Sequence, residues 1–159
     1  MSEATELAGK LRAEGEKFSE FFGGLSEEQW KAQIYTEGST WTIRSILAHL
    51  MTAERAFVKL FEQIRLGGEG VTEDFVIDRY NARQLEKTSA MTVAELQAEY
   101  QRIRGQMAAW VEGLKDAELE RRGRHPFLGI TTLREMIKMV YIHNQAHYRD
   151  IQRVLRGSS

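Results

Sequence analysis

Residues 92–114, TVAELQAEYQRIRGQMAAWVEGL, carry the clearest pattern in the chain. Thr92 and Glu95 stand at the spacing of a capping box, and behind them Val93, Leu96, Tyr100, Ile103, Met107, Trp110 and Leu114 return at steps of three and four residues. Side chains so spaced fall on one face of an α-helix, so the stretch predicts an amphipathic helix whose apolar stripe must be covered by other elements. Working downstream, Thr132 with Glu135 repeats the start signal, and Leu133, Met136, Ile137, Val140, Ile151, Val154 and Leu155 mark a further stripe. Upstream, Ile43, Ile46, Leu50, Ala53, Phe57, Leu60 and Ile64 keep the same alternation up to Gly67, and Leu7, Leu11, Phe18, Phe21, Phe22 and Leu25 run into Gly23-Gly24. Ser26 with Gln29 predicts a short helical turn around Trp30.

Four amphipathic helices of roughly 20 residues, with no strand-like alternation, predict an all-α four-helix bundle. The single proline, Pro126, leaves helices free to run long. About 25 residues separate the second stripe from the third, enough for a long crossover along the bundle, with a further short helix between Phe75 and Lys87. Phe75, Val76, Ile77 and Tyr80 give that crossover apolar surface to bury. The 159 residues suit one domain over 1–159, with disorder expected only in the tail 157–159.

Lys and Arg number 22 against 23 Asp and Glu, a formal charge of −1, so no global field gathers nucleic acid or an acidic membrane. Hydrophobic residues at 42% and charged residues at 28% argue against disorder. The absence of cysteine excludes disulfides, thiolate metal clusters and a cysteine nucleophile. With acid where a signal peptide carries base and no long apolar run, the expectation is a cytoplasmic protein without a membrane span.

His143 and His147 lie four apart on the apolar face of the last helix, where two imidazoles need partners that a hydrocarbon interior does not offer. One metal ion would satisfy both. His49 sits at the edge of the second stripe, with the small Ala53 and Ala56 on its side. If the second and fourth helices face each other, the three rings form a centre with an open coordination position; three unrelated histidines is the equally open reading. His125 reads as a solvated loop residue, Glu54 as a boundary residue rather than an acceptor behind a ligand, and Arg121, Arg122 and Arg124 as a solvated face. No Glu-x-x-His pair, His-Glu-x-x-His, phosphate loop or Gly-x-Ser-x-Gly elbow is present.

Trp41-Thr42-Ile43-Arg44-Ser45-Ile46-Leu47-Ala48-His49-Leu50 resembles the tryptophan-led entry to the second helix of the DinB/YfiT-like superfamily, and His143-Asn144-Gln145-Ala146-His147 resembles its His-x-x-x-His. The 94-residue separation of the motifs also suits that family, and the compatible helix order extends the resemblance over roughly residues 5–156. The resemblance implies an up-down-down-up bundle, His49, His143 and His147 as ligands of a divalent transition metal, zinc or nickel, and often a homodimer. Phe75-x-x-Asp78-x-x-Asn81-Ala82 resembles a crossover stretch of thiol-dependent relatives, without assigning Asp78 or Asn81 a role. Relatives include enzymes that use small thiols such as mycothiol or bacillithiol for isomerisation or S-transfer, and others with hydrolase-like or resistance roles. Two functions of different class follow: an enzyme whose metal activates a small thiol or water against a small electrophile, or a metal-binding or stress-associated protein without turnover.

Overall fold

The computed structural model describes residues 1–157. Among them are seven helices and two short hairpins, in the order α1 (Glu3–Gly23), α2 (Glu27–Trp30), β1 (Gln33–Tyr35), β2 (Trp41–Thr42), α3 (Ile43–Arg65), α4 (Ile77–Lys87), α5 (Val93–Glu112), α6 (Asp116–Leu119), β3 (Arg122–His125), β4 (Gly129–Thr132) and α7 (Leu133–Leu155). The helix starts follow the start signals. Thr92 accepts from the Glu95 amide while the Glu95 carboxylate accepts from the Thr92 amide, and Ser26 and Gln29 are paired in the same reciprocal way. Thr132 caps α7 by accepting from the Glu135 amide.

The four long helices, α1, α3, α5 and α7, bury their stripes in two apolar clusters. One gathers Leu7, Leu11, Phe61, Met107, Leu133 and Met136; the other gathers Phe22, Ile46, Leu47, Leu96, Tyr100 and Ile151. Between the clusters the long helices meet in a buried polar layer to which Glu14, Glu54, Arg104 and Asn144 belong, one from each helix in turn. Arg104 donates two hydrogen bonds of 2.7 Å to Glu54 and one of 3.3 Å to Glu14, while Asn144 donates to Glu54 at 2.8 Å. Further contacts tie the long helices pairwise: Arg12 with Glu112, Glu62 with Trp110, Glu3 with Arg134 and Phe18 with Tyr148.

Two expectations are corrected here. The chain does contain strands: β1 pairs with β2 and β3 with β4, both antiparallel. Ladders of two to four residues are too short for a period-two pattern to show in sequence. The crossover packs as expected through half-buried Ile77 and Tyr80, but Phe75 and Val76 precede α4 and stay 36% and 47% exposed. The crossover is held at both ends. Gly70, at φ +94°, runs against the Arg124 backbone so closely that a Cβ would collide with it, and Val71 and Arg124 amides donate to Arg124 and Glu69 carbonyls at 2.9 and 2.8 Å. At the far end, Arg44 of α3 donates to the carbonyls of Thr88 and Met91 at 3.0 and 2.6 Å. Of the expected disordered tail, Gly157 forms a turn and residues 158–159 lie outside the described residues. No helix is long and apolar enough to cross a membrane among the described residues.

Candidate metal centre

His49 from the first half of α3 and His143 and His147 from the middle of α7 meet on the same side of the bundle. Their ring centroids lie 4.5 to 5.2 Å apart and the ring planes stand 73° to 84° to one another. The Nε2 atoms of His49 and His143 are 3.3 Å apart, those of His143 and His147 3.0 Å. Tetrahedral coordination with bonds of about 2.0 to 2.1 Å puts ligand nitrogens roughly 3.3 Å from each other; two of the three pairs stand near that spacing, and the three residues offer ligand atoms that all lie within 4.8 Å of one another.

The proton inventory points the same way. The Tyr35 hydroxyl donates to Asp150 Oδ2 at 2.5 Å, leaving its oxygen to accept from His147 Nδ1 at 2.9 Å. That fixes the His147 proton on Nδ1 and turns an unprotonated Nε2 toward the other rings. His143 Nε2 carries at most one proton and faces two nitrogens, while the buried Nδ1 of His49 has no partner at all. Three neutral imidazoles cannot satisfy one another in this arrangement, and a cation among the Nε2 atoms would. These three are the one group of histidine, aspartate or glutamate side chains among the described residues placed to hold an ion.

Burial keeps all three rings neutral. Loss of solvation pushes His49 well below the usual histidine range and His147 down to about 4, in both cases helped by the neighbouring rings. His143 is lowered by the same desolvation, against a small opposing pull from Glu54. Burial raises the Tyr35 phenol, and the bond to Asp150 raises it further, so it remains a donor. Tyr35→Phe leaves the His147 Nδ1 proton without its acceptor, and metal affinity is expected to fall by about 10- to 100-fold with the fold intact. A competition titration against a chromogenic chelator measures it; an unchanged affinity contradicts the role.

The other candidates are corrected. His125 is 2% exposed rather than solvated. Its Nδ1 accepts from the amides of Phe127 and Leu128 at 3.0 and 3.2 Å, closing the β3–β4 turn, and its ring stacks on Phe57 at 5.2 Å and 12°. Desolvation lowers it to about 4. The unfolded chain therefore takes up a proton near pH 6.5 that the folded one refuses until about 4, so folded-state stability falls as pH drops through that window. A His125→Asn variant does not titrate there, and the parent's stability relative to it should shrink by up to ~3 kcal/mol between pH 6.5 and 4. Urea melts of the metal-free proteins across that range test this; a constant difference refutes it.

Glu54 is no boundary residue: it is 2% exposed, pairs with Arg104 and holds Asn144, the neighbour of His143, without touching a histidine. Arg121 and Arg122 are solvated as expected, whereas Arg124 is half-buried and bonds Glu73 at 3.1 Å. Asp78 is exposed and Asn81 half-buried on α4, in the groove beside Tyr35 and Trp41. Tyr35 and Asp150 were missed from sequence. Asp150 lies three residues beyond His147 on one helix face, a spacing that suits a residue supporting a ligand, but Tyr35 reaches the site only through the β1–β2 hairpin.

Fold and site together define a helical bundle with three histidines gathered at one side as in a metal centre. The model of the DinB superfamily matches residues 10–151, and the chain belongs to that superfamily. Among solved structures it is similar to YfiT from Bacillus subtilis, described as "a probable metal-dependent hydrolase with an unusual four-helix bundle topology", with a TM-score of 0.80 and 18% identity over 98% of this chain and 89% of that one. At that identity the likeness speaks for the fold alone. No curated protein matches the sequence.

Proposed function

We propose that this protein is a metal-dependent enzyme in which His49, His143 and His147 hold a divalent transition metal, zinc or nickel. The observation that carries the reading is the gathering of three buried, neutral imidazoles whose Nε2 atoms face one another with no protein arrangement able to satisfy them all. A bound ion there supplies Lewis acidity that makes water or a small thiol nucleophilic near neutral pH. The description of YfiT favours water among these nucleophiles. The chain's own part is to keep the imidazoles neutral by burial, to hold the His147 proton on Nδ1 through Tyr35 and Asp150, and to present apolar walls beside the open position.

The bundle order we assign is up-down-down-up. Contacts support it: Arg12–Glu112 and Glu14–Arg104 run in opposite senses along α1 and α5, Glu54–Arg104 and Glu62–Trp110 in the same sense along α3 and α5, and Glu3–Arg134 and Phe18–Tyr148 in the same sense along α1 and α7.

Metal analysis of protein purified without a nickel column, followed by an electrophile screen with and without small thiols, tests the function. In the cobalt form, appearance of a thiolate charge-transfer band on adding a thiol selects the thiol branch, and hydrolysis without thiol selects water. A protein that retains no divalent ion, or retains one and turns over nothing, rejects the enzyme reading.

A further inference from the structure

Beside the imidazoles of His49 and His143 lies a cavity of about 100 Å³ between α3, the crossover and the β3–β4 turn. Ala53 and Ala56 of α3 face Ile77 and Tyr80 of α4 across it, and the partly exposed Phe75 and Phe127 stand at its rim. No aspartate, glutamate, lysine or arginine lines it. A charged group placed there would lose its hydration without gaining a partner. A hydrocarbon group would instead gain about fourfold in affinity for every methylene it buries. The size also discriminates: an apolar cavity of about 150 Å³ holds benzene, so this one holds a group of about four carbons.

We infer that the cavity binds the short, uncharged hydrocarbon portion of a small substrate whose polar, reacting end lies against the imidazoles of His49 and His143. The position of that reacting end rests on the metal-centre reading, whereas the selectivity of the cavity rests on its own walls. Ala56 sets the size limit, because it lies two helical turns beyond His49 and a larger side chain there would occupy the space the substrate needs.

The test is a set of titrations with straight-chain alcohols from ethanol to hexanol, with butyrate and butylammonium as charged counterparts, followed by amide NMR shifts of metal-free and zinc-loaded protein. Affinity is expected to rise about fourfold per methylene up to butanol and then level off, with shifts centred on Ala53, Ala56 and Tyr80. In the metal-free protein butyrate and butylammonium should bind at least tenfold more weakly, by the desolvation argument, and Ala56→Leu should weaken butanol at least tenfold. Should Ala56→Leu fail to fold, Phe127→Ala, a change at an exposed rim position, should weaken butanol severalfold. His147 does not line the cavity, so His147→Ala should lose zinc and keep butanol. If the parent binds no zinc but shows the alcohol series, the metal reading falls and the cavity stands. If butyrate matches butanol in the metal-free protein, or neither Ala56→Leu nor Phe127→Ala weakens the alcohol, the cavity proposal is overturned.

Discussion

His147→Ala is expected to remove bound metal together with the stabilisation that the metal confers. An ion that binds the folded chain at about a thousand times its dissociation constant adds roughly 4 kcal/mol, because the unfolded chain does not gather the three rings. For a chain of this length that corresponds to a melting-temperature rise on the order of 10 °C. His147 has the strongest claim on the ion: its Nδ1 proton is anchored by Tyr35, its Nε2 is 3.0 Å from that of His143, and its ring has no other partner for that nitrogen. His125 supplies the internal control. Its ring is committed to the β3–β4 turn and to Phe57, so His125→Ala should destabilise the fold while leaving metal stoichiometry unchanged. Protons compete for the ligands, but burial holds the His147 ring near 4, so acid release of metal should set in below the pH of about 6 expected from free imidazole. Differential scanning calorimetry with and without zinc reads the shift, and equilibrium dialysis reads the stoichiometry. The ligand assignment is falsified if the metal-dependent shift survives in a folded His143→Ala, His147→Ala double variant.

What could be read in the sequence was what depends on near neighbours. The starts of α5 and α7 were legible because Thr92 with Glu95 and Thr132 with Glu135 sit within one turn, and the stripes were legible because each repeats within its own helix. His143 and His147 declared themselves for the same reason. His49 joined them only on the condition that α3 and α7 face each other, which periodicity alone does not decide. The hairpins were invisible because each ladder is shorter than the pattern that would reveal it. Burial of His125 depends on Phe57, and the role of Tyr35 on an α7 residue more than a hundred positions away. The run Gln-Arg-Ile-Arg in α5 shows the difficulty at its sharpest: Arg102 is 58% exposed at its side chain and Arg104 only 3%. Both are arginines beside a stripe residue, and what separates them is Glu54 and Glu14 on two other helices.

Arg104→Met is expected to cost about 3 to 5 kcal/mol, the largest stability loss of any single change considered, because it strands two carboxylates inside the bundle. Glu54 would lose both of its 2.7 Å bonds, keeping Asn144 alone, and Glu14 would lose its only cationic neighbour. Burial already raises Glu14 to about 7 and leaves its Oε2 without a partner, so in the variant it should titrate higher still. A carboxyl raised in the folded state favours folding below its unfolded value near 4.5 and loses that contribution as pH climbs through its folded value. The variant's deficit should therefore be larger at pH 8 than at pH 5. The arginine is also fixed in space: Gly15 lies so close to its Cγ that a Cβ would sit 2.7 Å away, so the α1–α5 approach is shaped around this side chain. Because the polar layer takes one residue from each long helix, it matches the helices along their length and holds Asn144, and with it His143, at a set height. Replacing Glu14, Glu54 and Arg104 together by Leu, Leu and Met removes the stranded charge and should recover most of the lost stability. The same triple variant should bind metal more weakly than the parent, since the Glu54–Asn144 hydrogen bond that ties α7 to α3 beside His143 is then lost. Full metal affinity in a stable triple variant would show the layer to be dispensable for the histidine centre.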